Sequence, residues 1–280
     1  MQTEGQSAQS TVSFVELVRA NFVANLAYFR RSRLLLGFLL VFVLLTVLEA
    51  LPAAFNIEAV PRFNILREIF SSMNRYLLLY GAGLGMFIIS SHLRSRSLKM
   101  VFTKPCPPAV WLFSAFLSAA AISLLLDLIV LGSSVVMSLI WHLPVRQGLF
   151  FVSIDTFLAS LSLIAYLMLL TTLVHPAIAV AFVLIFNPDT FYAAQFWTLS
   201  EIRAGSTSLM LRFLQHLFHA LYMTLPMVHA FGNKTASIYA SLHVMHKEWR
   251  YLPYSLAYVL TFSAFCYCLS LFALQRRKHI

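Results

Sequence analysis

Long apolar runs recur along this chain, and basic residues gather where those runs stop. Leu34–Leu51, Leu77–Ser91, Ala109–Trp141, Phe150–Val174, Pro176–Trp197 and Tyr254–Leu274 each read as an apolar helix of roughly membrane-crossing length. Hydrophobic residues make up 60% of the 280 positions and charged ones 11%. A soluble fold of that make-up has too little polar surface to cover itself. The fold class is therefore an all-α polytopic membrane protein. No polar, mixed-charge block approaches domain length, so residues 1–280 form a single transmembrane domain.

The net charge is +10, from 20 Lys and Arg against 10 Asp and Glu. In a soluble protein that balance would suggest nucleic acid. Here the cations cluster at the ends of apolar runs, which points to topology and to anionic lipid headgroups as partners, with no nucleic acid. Arg30, Arg31 and Arg33 precede the first run, and Gln275-Arg276-Arg277-Lys278 follow the last. Both termini are then cytoplasmic, which requires an even number of crossings, and six runs satisfy it.

Residues 1–12 are polar, lack the pattern of a cleavable signal peptide and read as disordered. Over residues 13–33, Val15, Val18, Phe22, Leu26 and Phe29 share one stripe, which predicts an interfacial helix on the cytoplasmic side. A frayed start to the first span is the alternative. A polar outer loop is expected over 56–74. Asn187-Pro188-Asp189 should kink or split the fifth span, because proline removes a backbone hydrogen bond. Leu209–Leu225 is apolar, but a crossing there would put the basic tail outside. It is expected to be a re-entrant or interfacial outer segment between helices 5 and 6.

Several chemistries lack their motifs. The chain has no G-x-x-x-x-G-K-(S/T) phosphate loop, no H-E-x-x-H and no G-x-S-x-G. Cys106, Cys266 and Cys268 show no disulfide or zinc-ligand spacing. Gly81, Gly83 and Gly85 alternate without the context of a nucleotide loop and suit close helix packing in lipid. His216, His219, His229, His243 and His246 cluster ahead of the last run. Pairs three apart suggest a metal-handling protein or an enzyme, and interfacial packing is the alternative.

Two acidic residues stand out as polar points on a transport path, Asp127 and Asp189. Asp127 lies near mid-membrane, where a carboxylate costs roughly 2.5–3.5 kcal/mol on insertion scales and so faces protein or water. The alternative is a protonated aspartate bonded to Ser123, Ser133 or Ser134. Asp155 and Glu49 lie near outer span ends, within reach of water.

The basic segment Ser90–Trp111 joins the second and third runs. Arg94, Arg96, Lys99 and Lys104 offer charge to an acidic partner, and Leu98, Met100 and Phe102 offer apolar anchors. Lys104-Pro105 supplies a turn.

This layout resembles the ABC-2-type transporter permeases. In Ser97-Leu98, Met100-Val101-Phe102 and Thr103-Lys104-Pro105 the segment is similar to that family's Thr-Leu, leucine-pair and Ser-Lys-Pro succession, and Leu221-Tyr222-Met223-Thr224-Leu225-Pro226 resembles its L-Y-x-x-L-P piece. His92 stands at the usual glutamate, Arg96 at the glycine, Pro108 at the arginine, and Ser114-Ala115 at the Gly-Lys pair. The resemblance implies the membrane-spanning subunit of an ATP-driven exporter in the bacterial inner membrane, with no cofactor and no catalytic residue of its own. Two permease copies, identical or paired, would work with a cytoplasmic ABC ATPase subunit that holds ATP and Mg. Arg94, Arg96, Leu98, Lys99, Met100, Phe102, Lys104 and Pro105 would form a coupling helix in a cleft of that ATPase. The departures keep a non-transporting immunity or assembly component open as another reading.

Overall fold

The computed structural model describes residues 13–33, 36–41, 43–44, 47–48, 62–94, 107–185, 188–205, 208–224 and 246–277. Among these residues all regular structure is α-helix. Helix α1 is Phe14–Arg31, α2 Arg62–Arg94, α3 Pro108–Ile140, α4 Gln147–Leu173, α5 Pro176–Ile185, α6 Pro188–Arg203, α7 Leu209–Thr224 and α8 His246–Arg277. Three stretches are long and apolar enough to cross a membrane: all of α3, all of α4, and Trp249–Arg276 within α8.

Local chemistry sets the helix ends. Ser13 and Glu16 form a reciprocal capping box at the start of α1, and Arg30 and Arg31 complement the dipole of its last turn. Arg33 then takes a left-handed backbone angle (φ 56°) and turns the chain. Residues 36–41 are helical again, and Phe38 is wholly buried, its ring 5.5 Å from Tyr76 and 4.9 Å from Tyr80. Pro108 opens α3, where its fixed φ fits and its missing N–H costs nothing.

Helix α2 departs from the expected outer loop over 56–74, because helix begins at Arg62. Leu66, Ile69, Phe70, Met73, Leu77 and Leu84 are all buried and share one helical face. The stripe runs through Leu77 without a break. Arg62, Asn64, Arg67, Glu68 and Arg75 lower the average hydropathy of the first half, which therefore reads as loop while its periodicity is helical. At 33 residues, α2 is about 50 Å long and overshoots an apolar layer of about 30 Å.

Helix α4 is the axis of the bundle and packs against α2, α3, α5 and α8. Contacts between helices fix the directions. Phe151 meets Trp249 edge-on at 5.6 Å, and Tyr166 meets Phe262 at 6.4 Å, so α4 and α8 run parallel. Arg146, just before α4, lies 3.6 Å over the Phe63 ring, and Gly81 approaches Ser160, so α2 runs parallel to both. Helix α3 is antiparallel to all three: Ser123 bonds Ser160, and the Tyr267 hydroxyl donates to the Ala109 carbonyl at 2.9 Å. Tyr28 and Phe29 pack on Phe87, which puts α1 at the end of the bundle where α2 stops and α3 starts.

The last third is organised differently. α5 and α6 end and begin on either side of residues 186–187, and the pieces of 10 and 16 residues are each shorter than a crossing. α6 reaches Arg203, past the expected end at Trp197. It turns at Gly205, whose φ of +100° suits glycine, and pairs with α7 as a helical hairpin. Leu209, Met210, Phe213 and Leu217 leave an exposed apolar stripe on α7.

Of the three alternating glycines, Gly81 makes a close approach. A Cβ there would lie 3.4 Å from Ser160 Cβ and 3.5 Å from Ser123 Oγ, whereas one at Gly83 would meet nothing within 4 Å. Gly81→Ala should therefore be neutral, and Gly81→Leu should push α2 away from α3 and α4 at a cost of about 1–3 kcal/mol. Thermal unfolding of the purified variants in detergent checks this; an equal loss in both would refute the contact.

Candidate functional site

Polar residues on α2, α3 and α4 recur at helical spacing and meet at two levels. The lower level is the Gly81–Ser123–Ser160 contact, in which the two hydroxyls are 2.8 Å apart and Ser160 also reaches the Phe157 carbonyl at 2.7 Å. The upper level centres on Asp127, which is 3% exposed. The Ser153 hydroxyl on α4 donates to Asp127 Oδ2 at 2.6 Å. A cavity of about 10 Å³ adjoins the pair, lined by Asn74, Asp127, Val130, Leu131, Ser134, Leu149 and Ser153.

Two features of the sequence reading of Asp127 change. Its partner is Ser153 from the neighbouring helix, while Ser123 pairs with Ser160, and Ser133 and Ser134 both return their hydrogens to the Val130 carbonyl at 2.8 Å. Serines three or four places away on one helix have their own backbone to bond, which removes them from competition. Its depth also shifts. Ser153 lies about 9 Å beyond the start of α4, and Asn74 precedes the long apolar part of α2. The site thus sits toward the bundle end opposite α1. The middle of a 33-residue helix is not the middle of the layer, because α3 overhangs α4.

Asp155, expected within reach of water, is 2% exposed. α4 is enclosed by α2, α3 and α8 at this level, so closeness to a helix end brings no solvent. Most hydroxyls of α4 bond within the helix: Ser162 to the Ala159 carbonyl at 2.8 Å, Thr171 to Leu167 at 2.9 Å and Thr172 to Leu169 at 2.7 Å. Ser153 and Ser160 are the hydroxyls that reach across to α3.

The other predicted residues are not gathered here. Arg94 is the last described residue of α2. Arg96, Leu98, Lys99, Met100, Phe102, Lys104, Pro105 and Glu49 lie outside the described residues. Asp189 is the second residue of α6 and is remote in sequence from Asp127. His216 and His219 stand three apart on α7, and His219 Nδ1 is 3.0 Å from Gln195 Nε2. His246 opens α8, whereas His229 and His243 lie outside the described residues. Among the described residues, no three His, Cys, Asp or Glu side chains come together.

Asn74, Ser153 and Ser160 carry no chemical motif that marks them in the sequence. A signal was present in the spacing: Asn74 and Gly81 are seven apart, as are Ser153 and Ser160, while Ser123 and Asp127 are four apart. Which helices these stripes face could not be read from spacing. No protein-family model matches this chain, and no curated protein matches it.

Removing the Ser153 hydroxyl strips a buried carboxylate of its donor. Ser153→Ala should destabilise the protein by about 1–3 kcal/mol. In an Asp127→Asn background the same change should cost much less, because no charge is left behind. A double-mutant cycle on unfolding midpoints measures the coupling; additivity would separate the two residues.

Proposed function

We propose that this chain is the membrane-spanning permease subunit of an ATP-driven exporter of the ABC-2 type. In this reading six helices cross the membrane, both termini are cytoplasmic, and a separate cytoplasmic ATPase grips the basic segment between α2 and α3. Two permease copies, identical or paired, enclose the path, and ATP with Mg acts on the partner chain.

The observation that supports this best is the bracing of the two helix ends from which that segment emerges. Phe87, two turns before the end of α2, packs under Tyr28 and Phe29 of α1, with ring separations of 5.6 and 6.1 Å. The Ala109 carbonyl at the start of α3 accepts the Tyr267 hydroxyl from α8, near the basic C-terminal end. α1 also packs along α3. A handle conveys motion only if its roots are stiff, and both roots are tied to other helices. A push on the segment would reach α3 and α2, and from them the α4 axis. Arg30, Arg31, Arg276 and Arg277 belong to the same end, which is taken as cytoplasmic by the positive-inside tendency.

Charge reversal tests the coupling role. Arg94→Glu, Arg96→Glu and Lys99→Glu combined should abolish co-purification of the ATPase subunit while leaving membrane insertion unchanged; undiminished capture would defeat the assignment. In a Cys266→Ala, Cys268→Ala background, Cys106 should react with an impermeant thiol reagent from the cytoplasmic side alone. Labelling from outside would overturn the topology and the exporter reading together.

A further inference from the structure

Among the described residues, the polar side chains lining the Asp127 cavity are Asn74, Asp127, Ser134 and Ser153, and none is cationic. Ser153 has committed its hydrogen to Asp127 Oδ2, and Ser134 has committed its own to the Val130 carbonyl. What both hydroxyls present beyond those bonds is lone pairs. The second carboxylate oxygen, Asp127 Oδ1, is buried and has no hydrogen-bond partner among the described residues. Asn74 brings an amide from α2 to the same wall. Among the described residues the ion pair is Arg67–Glu68, outside this site, so no arginine or lysine balances the Asp127 charge there.

A buried carboxylate without a counter-charge is strongly disfavoured, and inside a membrane bundle it marks an ion or proton site. Three alternatives would relieve it: a proton, a water or a small cation. A water supplies hydrogen bonds but no charge. A proton on Oδ1 neutralises the carboxyl but can donate to only one of the surrounding acceptors, leaving the other lone pairs unmatched. A monovalent cation meets both demands, and hard oxygen donors suit an alkali ion rather than a transition metal. The cavity, at about 10 Å³, is of the size that holds one water-sized species.

We infer that Asp127, Ser134, Ser153 and Asn74 form a sodium-binding site that ties α2, α3 and α4 together. Occupancy locks the three helices at the end opposite α1; release frees them to separate. The site stands on this chain alone and does not depend on the exporter reading.

The test uses the purified full-length chain in nanodiscs of zwitterionic lipid. Thermal unfolding is followed in sodium chloride and in choline chloride at equal ionic strength. Sodium at about ten times its Kd should raise the folded-to-unfolded ratio on the order of tenfold. Potassium, being larger, should give a smaller shift. Asp127→Asn, which keeps the shape and removes the charge, should abolish the sodium effect, and Ser134→Ala should weaken it. Equal midpoints in sodium and choline would overturn the site and leave a protonated aspartate. An undiminished sodium shift in Asp127→Asn would do the same by placing the ion elsewhere. If Asp127→Asn does not fold, saturable binding of one radiolabelled sodium per wild-type chain sustains the proposal, and its absence refutes it.

Discussion

Where three helices meet in a space that excludes bulk water, each polar group must find its partner among the others. That requirement shapes the contact of α2, α3 and α4. Ser153 reaches Asp127, Ser160 reaches Ser123, and Gly81 lets the α2 backbone come within a methyl group's distance of both serines. In lipid there is little hydrophobic drive between helices, so close packing of small residues and a few interhelical hydrogen bonds carry the association. Large side chains fill the rest of that contact, among them Phe70, Met73, Leu77, Leu126 and Phe151, whereas α8 turns many of its own outward. Leu256, Leu260, Phe265, Leu269 and Phe272 on α8 are exposed and available to acyl chains.

The same arrangement gives the bundle two unlike ends. At one, α1, the close of α2, the opening of α3 and the close of α8 are held by aromatic contacts and by the Tyr267–Ala109 bond. At the other, the Asp127 level holds a carboxylate whose charge no described side chain balances. The exporter proposal uses the first and the sodium inference the second, and they fail independently.

Helix α2 shows how composition and periodicity can disagree. Averaging over Arg62–Tyr76 reports a polar segment, whereas Leu66, Phe70, Met73 and Leu77 form an unbroken buried stripe. The stripe wins, because burial of one face is enough to hold a helix whatever the other face carries. Of the five histidines that cluster in sequence, His219 is engaged by Gln195 within the α6–α7 hairpin, a polar contact between paired helices.

By itself the sequence determined the all-helical class, three helices apolar enough to cross a membrane and the residues that are costly to bury, because chain composition and period do not depend on what a helix packs against. It marked Asp127 as expensive and Gly81, Gly83 and Gly85 alike as close-packing positions on those grounds alone. Only the tertiary structure decided which partner Asp127 takes, how deep it sits and that Asp155 is enclosed. Those outcomes depend on the relative heights and faces of α2, α3 and α4, and a shift of one helical turn between neighbours changes every pairing while leaving each helix's own pattern intact.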